Sequence, residues 1–225
     1  MGSTGQLAEA VPAARRLEVR DLGLMGFRPA FSLQEALVAD RLAGRAPDTL
    51  LLVEHEPVYT LGRNADERHV LASAVQRSAL GIDLQRTTRG GEVTYHGPGQ
   101  LVGYPILRLP GGGRGPVWFV TQLEEVLIRT LADFGVTGRR DPINRGVWVE
   151  KDKIAAIGVR VTRQVTLHGF SLNVCVRLED YAGITPCGIE GRWVTSIDRW
   201  VAGVSLADVK PALVHRFREV FGYAA

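Results

Sequence analysis

Cys187 stands in Thr185-Pro-Cys-Gly-Ile189, where a proline before and a glycine after predict a tight turn rather than a strand. Such a turn can present the sulfur at a cleft; the plain alternative is a loop cysteine without chemistry, and spacing alone does not separate the two. A free thiol, with a pKa of about 8.5, is only a few per cent thiolate at neutral pH, so a nucleophilic cysteine needs a partner. A cation about 4 Å away supplies on the order of 4 kcal/mol at an effective dielectric near 20. Lys153 is the candidate, because it opens the apolar run Lys153-Ile-Ala-Ala-Ile-Gly-Val159 and lysine, unlike arginine, can release its proton when desolvated. Composition by itself favours a different reading, in which Lys151-Asp152-Lys153 is a solvated hairpin tip. Cys175 lies in Leu172-Asn-Val-Cys-Val-Arg-Leu178, where period-2 alternation predicts a small apolar residue filling a sheet.

The histidines admit a second chemistry. His96 and His168 each precede glycine, and either could pair with a cysteine as in thiol hydrolases. A structural or substrate-orienting role is the favoured reading for both. His55-Glu56 is no zinc helix, because Tyr59 occupies the position of the second histidine and Pro57 breaks any helix. The densest feature is Arg89-Gly-Gly-Glu-Val-Thr-Tyr-His-Gly-Pro-Gly-Gln100, whose glycines let backbone approach a ligand closely. A glycine-rich bulged hairpin is the bland reading of that string, and the phosphate-loop pattern GxxxxGK[ST] is absent from the chain.

The elements that must position these residues follow from periodicity. Ser32-Leu-Gln-Glu35 has the form of a capping box and predicts a helix over 33–42. Leu50 to Glu54 reads as a buried strand, 88–103 as loop or irregular edge, and Val102 to Leu107 as strand. Val117, Val120, Leu123, Leu127, Leu131 and Phe134 recur at helical spacing, the clearest helix in the chain. Strand character returns at 146–149, 154–161 and 165–178, and 183–191 reads as loop. A last helix is expected over 208–221, with Pro211 in its first turn. The order does not alternate as a doubly wound sheet would, so the expected class is α+β with a mixed sheet flanked by helices.

The 225 residues suffice for one sizeable core. We expect a disordered lead-in over 1–16 and a single catalytic domain over 17–225. With 27 basic and 24 acidic side chains the net charge is +3, too balanced to imply nucleic acid. No apolar run approaches the ~18–20 residues of a membrane span, and no secretory signal is visible. The two cysteines form neither a disulfide framework nor a zinc pattern, so a reduced, cytoplasmic location is expected. Lysine is scarce, at 151, 153 and 210 only, a mild hint that one is retained for a purpose.

Five strings taken together resemble the octanoyl–acyl carrier protein:protein octanoyltransferases of lipoate biosynthesis. They are Glu54-His-Glu-Pro-Val-Tyr-Thr-Leu-Gly-Arg63, Arg89 to Ile106, Lys153 to Gly158, Thr166-Leu-His-Gly-Phe-Ser-Leu-Asn173, and Pro186-Cys-Gly-Ile189 followed by Val194-Thr-Ser196. They occur in the family's order over nearly all of 54–196. The resemblance implies a biotin/lipoate ligase-like fold, an acyl-thioester nucleophile at Cys187 and an activating lysine at Lys153. It assigns acyl-chain binding to Arg89, Gly90, Gly91, Glu92, Val93, Thr94, Tyr95 and His96. Ala156, Ile157, Gly158, Gly169, Phe170 and Ser171 are assigned the same role, and His168 an orienting one. No metal and no bound cofactor are implied, since the substrate brings its own phosphopantetheine on acyl carrier protein. The implied partners are octanoyl–acyl carrier protein and the lipoyl domains of 2-oxoacid dehydrogenase E2 subunits and of the glycine cleavage H protein. Leu167 departs from the paired histidines common in the family, and Glu92 from its usual Asp or Gln.

Two other functions are compatible with parts of this pattern. An ATP-dependent lipoate or biotin ligase on the same fold would leave Cys187 without a covalent role. A non-catalytic acyl-chain or carrier-protein binding module would leave its thiol unreactive.

Overall fold

The computed structural model describes residues 15–185 and 193–224. In chain order the strands and helices are β1 (Leu17–Met25), α1 (Phe27–Leu42), β2 (Asp48–His55), β3 (Val58–Leu61), α2 (Ala74–Leu80), β4 (Asp83–Arg86), β5 (Thr94–His96), β6 (Gln100–Ile106), α3 (Pro116–Asp133), β7 (Arg139–Arg140), β8 (Val147–Val149), β9 (Asp152–Thr162), β10 (Val165–Asn173) and α4 (Leu206–Phe221). Seven strands form one sheet in the order β1-β2-β6-β10-β9-β8-β7, and β4-β3-β5 form a smaller one. β1 runs parallel to β2, whereas β2, β6, β10, β9 and β8 pair antiparallel in turn. The expected mixed α+β sheet with flanking helices is what the chain builds.

Each central strand is apolar on both faces because both faces are covered. In β2, Leu50 and Leu52 join Phe119, Leu123, Leu127, Leu131, Leu213 and Phe217 from α3 and α4. Leu51 and Val53 point the other way, toward Ala30 and Leu37 of α1 and Val102, Tyr104 and Ile106 of β6. A third cluster, around Tyr59, Tyr95, Val176, Tyr181 and Ile184, closes the small sheet. Arg15, inside the expected lead-in, donates to Asp48 Oδ2 and the Tyr223 hydroxyl, each at 2.9 Å. Residues 1–14 lie outside the described ones.

Several local expectations need correction. Helix α1 begins at Phe27, with Gly26 as its extended N-cap, so Ser32 is interior and caps nothing. Buried Phe27 and Ala30 tie the upstream turn to the core, and Pro29 sits where its missing N–H has no helical partner to lose. The stretch 88–103 holds β5 and the first half of β6 rather than loop alone. Strand β10 stops at Asn173, and the Val174 and Cys175 N–H groups both donate to Gly99 O as the chain turns. Cys175 is therefore exposed and not a sheet filler. Helix α4 starts at Leu206, which moves Pro211 into its second turn.

Candidate active site

On the α1 side of the large sheet lies a cavity of about 180 Å³, somewhat larger than the ~150 Å³ apolar cavity that accepts benzene. Its floor is strand backbone and side chain: Ala156, Ile157 and Gly158 of β9, Gly169, Phe170 and Ser171 of β10, and Val102 and Tyr104 of β6. The register pairs Ala156 with Ser171, Gly158 with Gly169, and Ser171 with Val102, which lays these residues in rows across the sheet. The strap 89–94 crosses above. Gly90 N donates to Val159 O at 3.1 Å, and a Cβ on Gly158 would stand 2.9 Å from Gly90 O. Only glycine lets the strap lie this close to β9.

Of the strap residues, Arg89, Gly91, Glu92, Val93, Thr94 and His96 line the cavity. Arg89 is buried; its guanidinium donates to the Thr60 carbonyl, to Thr60 Oγ1 at 2.9 Å and to Gly90 O at 3.0 Å. These bonds pin the strap to β3. Tyr95 alternates away from its neighbours on β5. Its ring packs edge-on to Tyr59 and Tyr181, and its hydroxyl donates to Asp180 Oδ2 at 2.8 Å. Tyr95 thus belongs to the small sheet's core, and Gly90 supports the strap from outside the lining. The Phe170 ring lies against Gly103 within the core on the α3/α4 face, so this residue shapes the floor from behind.

Two neutral histidines, His96 and His168, line the cavity, and a third, His55, packs behind them against His96 and Tyr104. Burial drives His96 down to about 3, assisted by His55. Burial, then the charge of Arg89, lowers His168 to about 3, and burial lowers His55 as well. His96 Nδ1 lies 2.7 Å from Gln100 Oε1, and His55 Nε2 lies 2.7 Å from the Tyr104 hydroxyl. His168 takes a positive φ of 62° inside β10, a conformation uncommon for residues other than glycine. Gln34 Oε1 receives its N–H at 3.1 Å, Thr88 Oγ1 lies 2.9 Å from its Nε2, and Phe31 stacks on its ring at 5.3 Å. These contacts hold an unfavourable backbone in place, which fits an orienting role.

Lys153 also lines the cavity and is only 7% exposed. The hairpin tip is Glu150-Lys151, and Lys153 is two residues along β9, with Nζ 5.0 Å from the centre of the Trp148 ring. Its backbone N–H donates to Trp193 O, and its carbonyl accepts from Thr195 N, both at 3.0 Å. Cys187 lies outside the described residues, but both flanks of its segment are described. On the near side Thr185 N donates to His69 O at 2.8 Å, and His69 Nδ1 is 3.0 Å from Glu92, a lining residue. On the far side come Trp193 and Thr195, held by Lys153.

Phe27, Val102, Tyr104, Asn144 and Arg145 also line the cavity and were not singled out from sequence. Val102 and Tyr104 fall inside the Arg89–Ile106 string, and alternation along β6 was the signal that could have found them. Asn144 and Arg145 come from the turn 141–146, where Glu124 of α3 accepts from Gly146 N at 3.1 Å and pairs with Arg145 at 3.4 Å. Nothing local in the sequence foretells that placement. Among the described residues no cluster of three or more His, Cys, Asp or Glu side chains could hold a metal, and no helix is long and apolar enough to cross a membrane.

Residues 27–218 match the model of the lipoyl protein ligase A/B catalytic domain. The chain is 50% identical over 201 residues to an octanoyltransferase of Gloeobacter violaceus, covering 89% of this chain and 88% of that one. It is 47% identical over 206 residues to an octanoyltransferase of Syntrophotalea carbinolica, covering 91% and 94%. Among solved structures, the bi-partite lipoate protein ligase of Thermoplasma acidophilum superposes with a TM-score of 0.73 at 18% identity, over 93% of this chain and 85% of that one. That likeness extends to the fold alone.

Proposed function

The chain belongs to the lipoyl protein ligase A/B catalytic-domain family, with octanoyltransferases as relatives, and is an acyltransferase; from that premise we propose that it carries an octanoyl group on Cys187 to a lysine of a lipoyl domain. The donor is octanoyl–acyl carrier protein, and the reaction takes place in the cytoplasm, where a reducing environment keeps the thiol free.

Lys153 accepts the proton of Cys187, and the thiolate attacks the thioester carbonyl. The bond to the carrier's pantetheine sulfur breaks, and that sulfur takes the proton back from Lys153. A lysine of the acceptor domain then attacks the acyl-enzyme. Its amine loses a proton through Lys153 to the departing Cys187 sulfur, which leaves an amide and a free thiol. Thioester exchange is nearly balanced and aminolysis of a thioester runs downhill, so the bonds exchanged call for neither a nucleotide nor a metal ion.

One observation carries this reading: a buried lysine at the end of an apolar, strap-covered cavity is bonded through its backbone to the residues that follow the Cys187 segment. Intact-mass measurement after incubation with octanoyl–acyl carrier protein, without ATP, tests it. One octanoyl group should appear on the wild-type chain and none on Cys187→Ala. An adduct that survives Cys187→Ala, or no adduct on the wild type, overturns the assignment.

A further inference from the structure

The strand order gives the cavity a direction. Of the lining residues, Lys153 and Ala156 lie on β9, followed across the sheet by Gly169 and Ser171 on β10 and by Val102 and Tyr104 on β6; His55 of β2 stands behind Tyr104. At a strand spacing of about 4.8 Å, β9 and β6 are about 10 Å apart. An acyl carbonyl reacting beside Lys153 therefore sends its hydrocarbon tail toward β6 and α1. There Phe27, in the first turn of α1, closes the lining with its ring 5.6 Å from that of His55.

The polar side chains of His55, Tyr104, His96, Gln100 and Thr60 at that far end are occupied with one another. His55 Nδ1 lies 2.9 Å from the Met25 carbonyl, which can only accept. Nε2 of that ring is then the acceptor, and the Tyr104 hydroxyl donates to it. The two protons of the Gln100 amide N–H₂ are taken up by acceptors at Tyr95 O and Asn173 Oδ1, so its Oε1 takes the His96 Nδ1 proton. His96 Nε2 faces Thr60 Oγ1 at 3.3 Å, whose lone pair already receives Arg89 and whose proton is available. The far wall is thus suited to a methyl group. Beyond Phe27 stands another ring, Phe31, stacked 6.0 Å away.

We propose that Phe27 is the stop that sets the length of acyl chain this cavity accepts. The inference rests on the acyl-transfer reading above and names a specificity determinant of that same site. Ala30, fully buried one turn further on, anchors the start of α1 alongside Phe27, so the first turn keeps a core contact when the ring is changed. Shortening the side chain lengthens the cavity toward Phe31, and enlarging it does the reverse.

The test compares octanoyl-, decanoyl- and dodecanoyl–acyl carrier protein on the full chain, by kcat/KM and by acyl-enzyme mass in mixtures. Calorimetric binding of free octanoate and dodecanoate provides a readout independent of turnover. A buried methylene is worth about 0.8 kcal/mol, so two give roughly a tenfold preference. Phe27→Leu and Phe27→Ala should raise the decanoyl-to-octanoyl ratio about tenfold, and Phe27→Trp should lower it. Should Phe27→Ala not fold, the Leu and Trp variants decide. Ratios within twofold of wild type in the folded variants overturn the proposal, even where absolute rates fall. A wild-type chain that forms no acyl-enzyme counts against the transfer reading instead, and the fatty-acid affinities then decide this one.

Discussion

The two faces of the large sheet differ in what they bury. On the α3/α4 face, Phe119, Leu123, Leu127, Leu131, Leu213, Phe217 and Phe221 pack on alternate residues of β2, β6 and β10. On the α1 face, apolar residues share the interior with Gln34, His55, Arg89, His96, Lys153 and His168. Burying polar groups costs free energy even when they are paired, and burying charge costs more. One face holds the sheet together, and that stability allows the other to keep neutral histidines and a lysine beside a cavity. Stability and chemistry should therefore be separable by mutation.

The largest effect is expected from Lys153→Arg, which keeps a cation at the cavity but removes an amine able to pass protons. Octanoyl transfer should fall 10²–10⁴-fold, with the thermal midpoint little changed. Near wild-type turnover would remove the lysine from the mechanism. Phe217→Ala on the opposite face should do the reverse. It should cost about 3–5 kcal/mol in denaturant unfolding while leaving kcat/KM of the folded fraction intact. A large loss of activity per folded molecule would break the separation of the two faces.

Acid should reveal the histidines. Their folded pKa values lie below the ordinary 6.5, with His96 and His168 at about 3. The unfolded chain therefore binds more protons as pH falls through this window. Stability is complete above about 6.5 and drains away toward pH 3, by up to about 1.4 kcal/mol per pH unit for each histidine. Chemical denaturation between pH 7 and 4.5 measures the slope, which His96→Gln should reduce. A flat profile would mean that the rings are already solvated. The smallest effect belongs to Arg216→Ala on α4, whose partners Asp133 and Glu219 are partly exposed. It should cost less than about 1 kcal/mol and leave transfer untouched.

The helical face was the more legible in sequence, because an apolar stripe at helical spacing has one way to be buried. α3 falls within a residue or so of its expected bounds. The α1 face was read through strings rather than periodicity, and residues from three of them, within 89–106, 153–158 and 166–173, line the cavity. Their limits were local. Ser32 and Glu35 have capping-box spacing, yet buried Phe27 and Ala30 extended the helix upstream. The motif containing Tyr95 did not say which way β5 would turn it. Cys175 looked like a strand residue until Gly99 drew the chain off the sheet. Phe27, Asn144 and Arg145 arrive from elements distant in sequence, and only the tertiary arrangement brings them to the lining.

The central claim is that the Lys153 amine ionises the Cys187 thiol, and the chain carries its own control. Desolvation at its sulfur, then the carboxylates of Asp198 and Glu54, hold the thiol of Cys175 above its ordinary pKa, although the residue as a whole is exposed. The rate of iodoacetamide alkylation should therefore be followed against pH, with each cysteine read separately by peptide mass, in the wild type and in Lys153→Met. Cys187 should react rapidly at neutral pH in the wild type, far ahead of Cys175, and lose that lead in the variant. Equal, slow alkylation of both cysteines, or a Cys187 profile unmoved by Lys153→Met, would contradict the account.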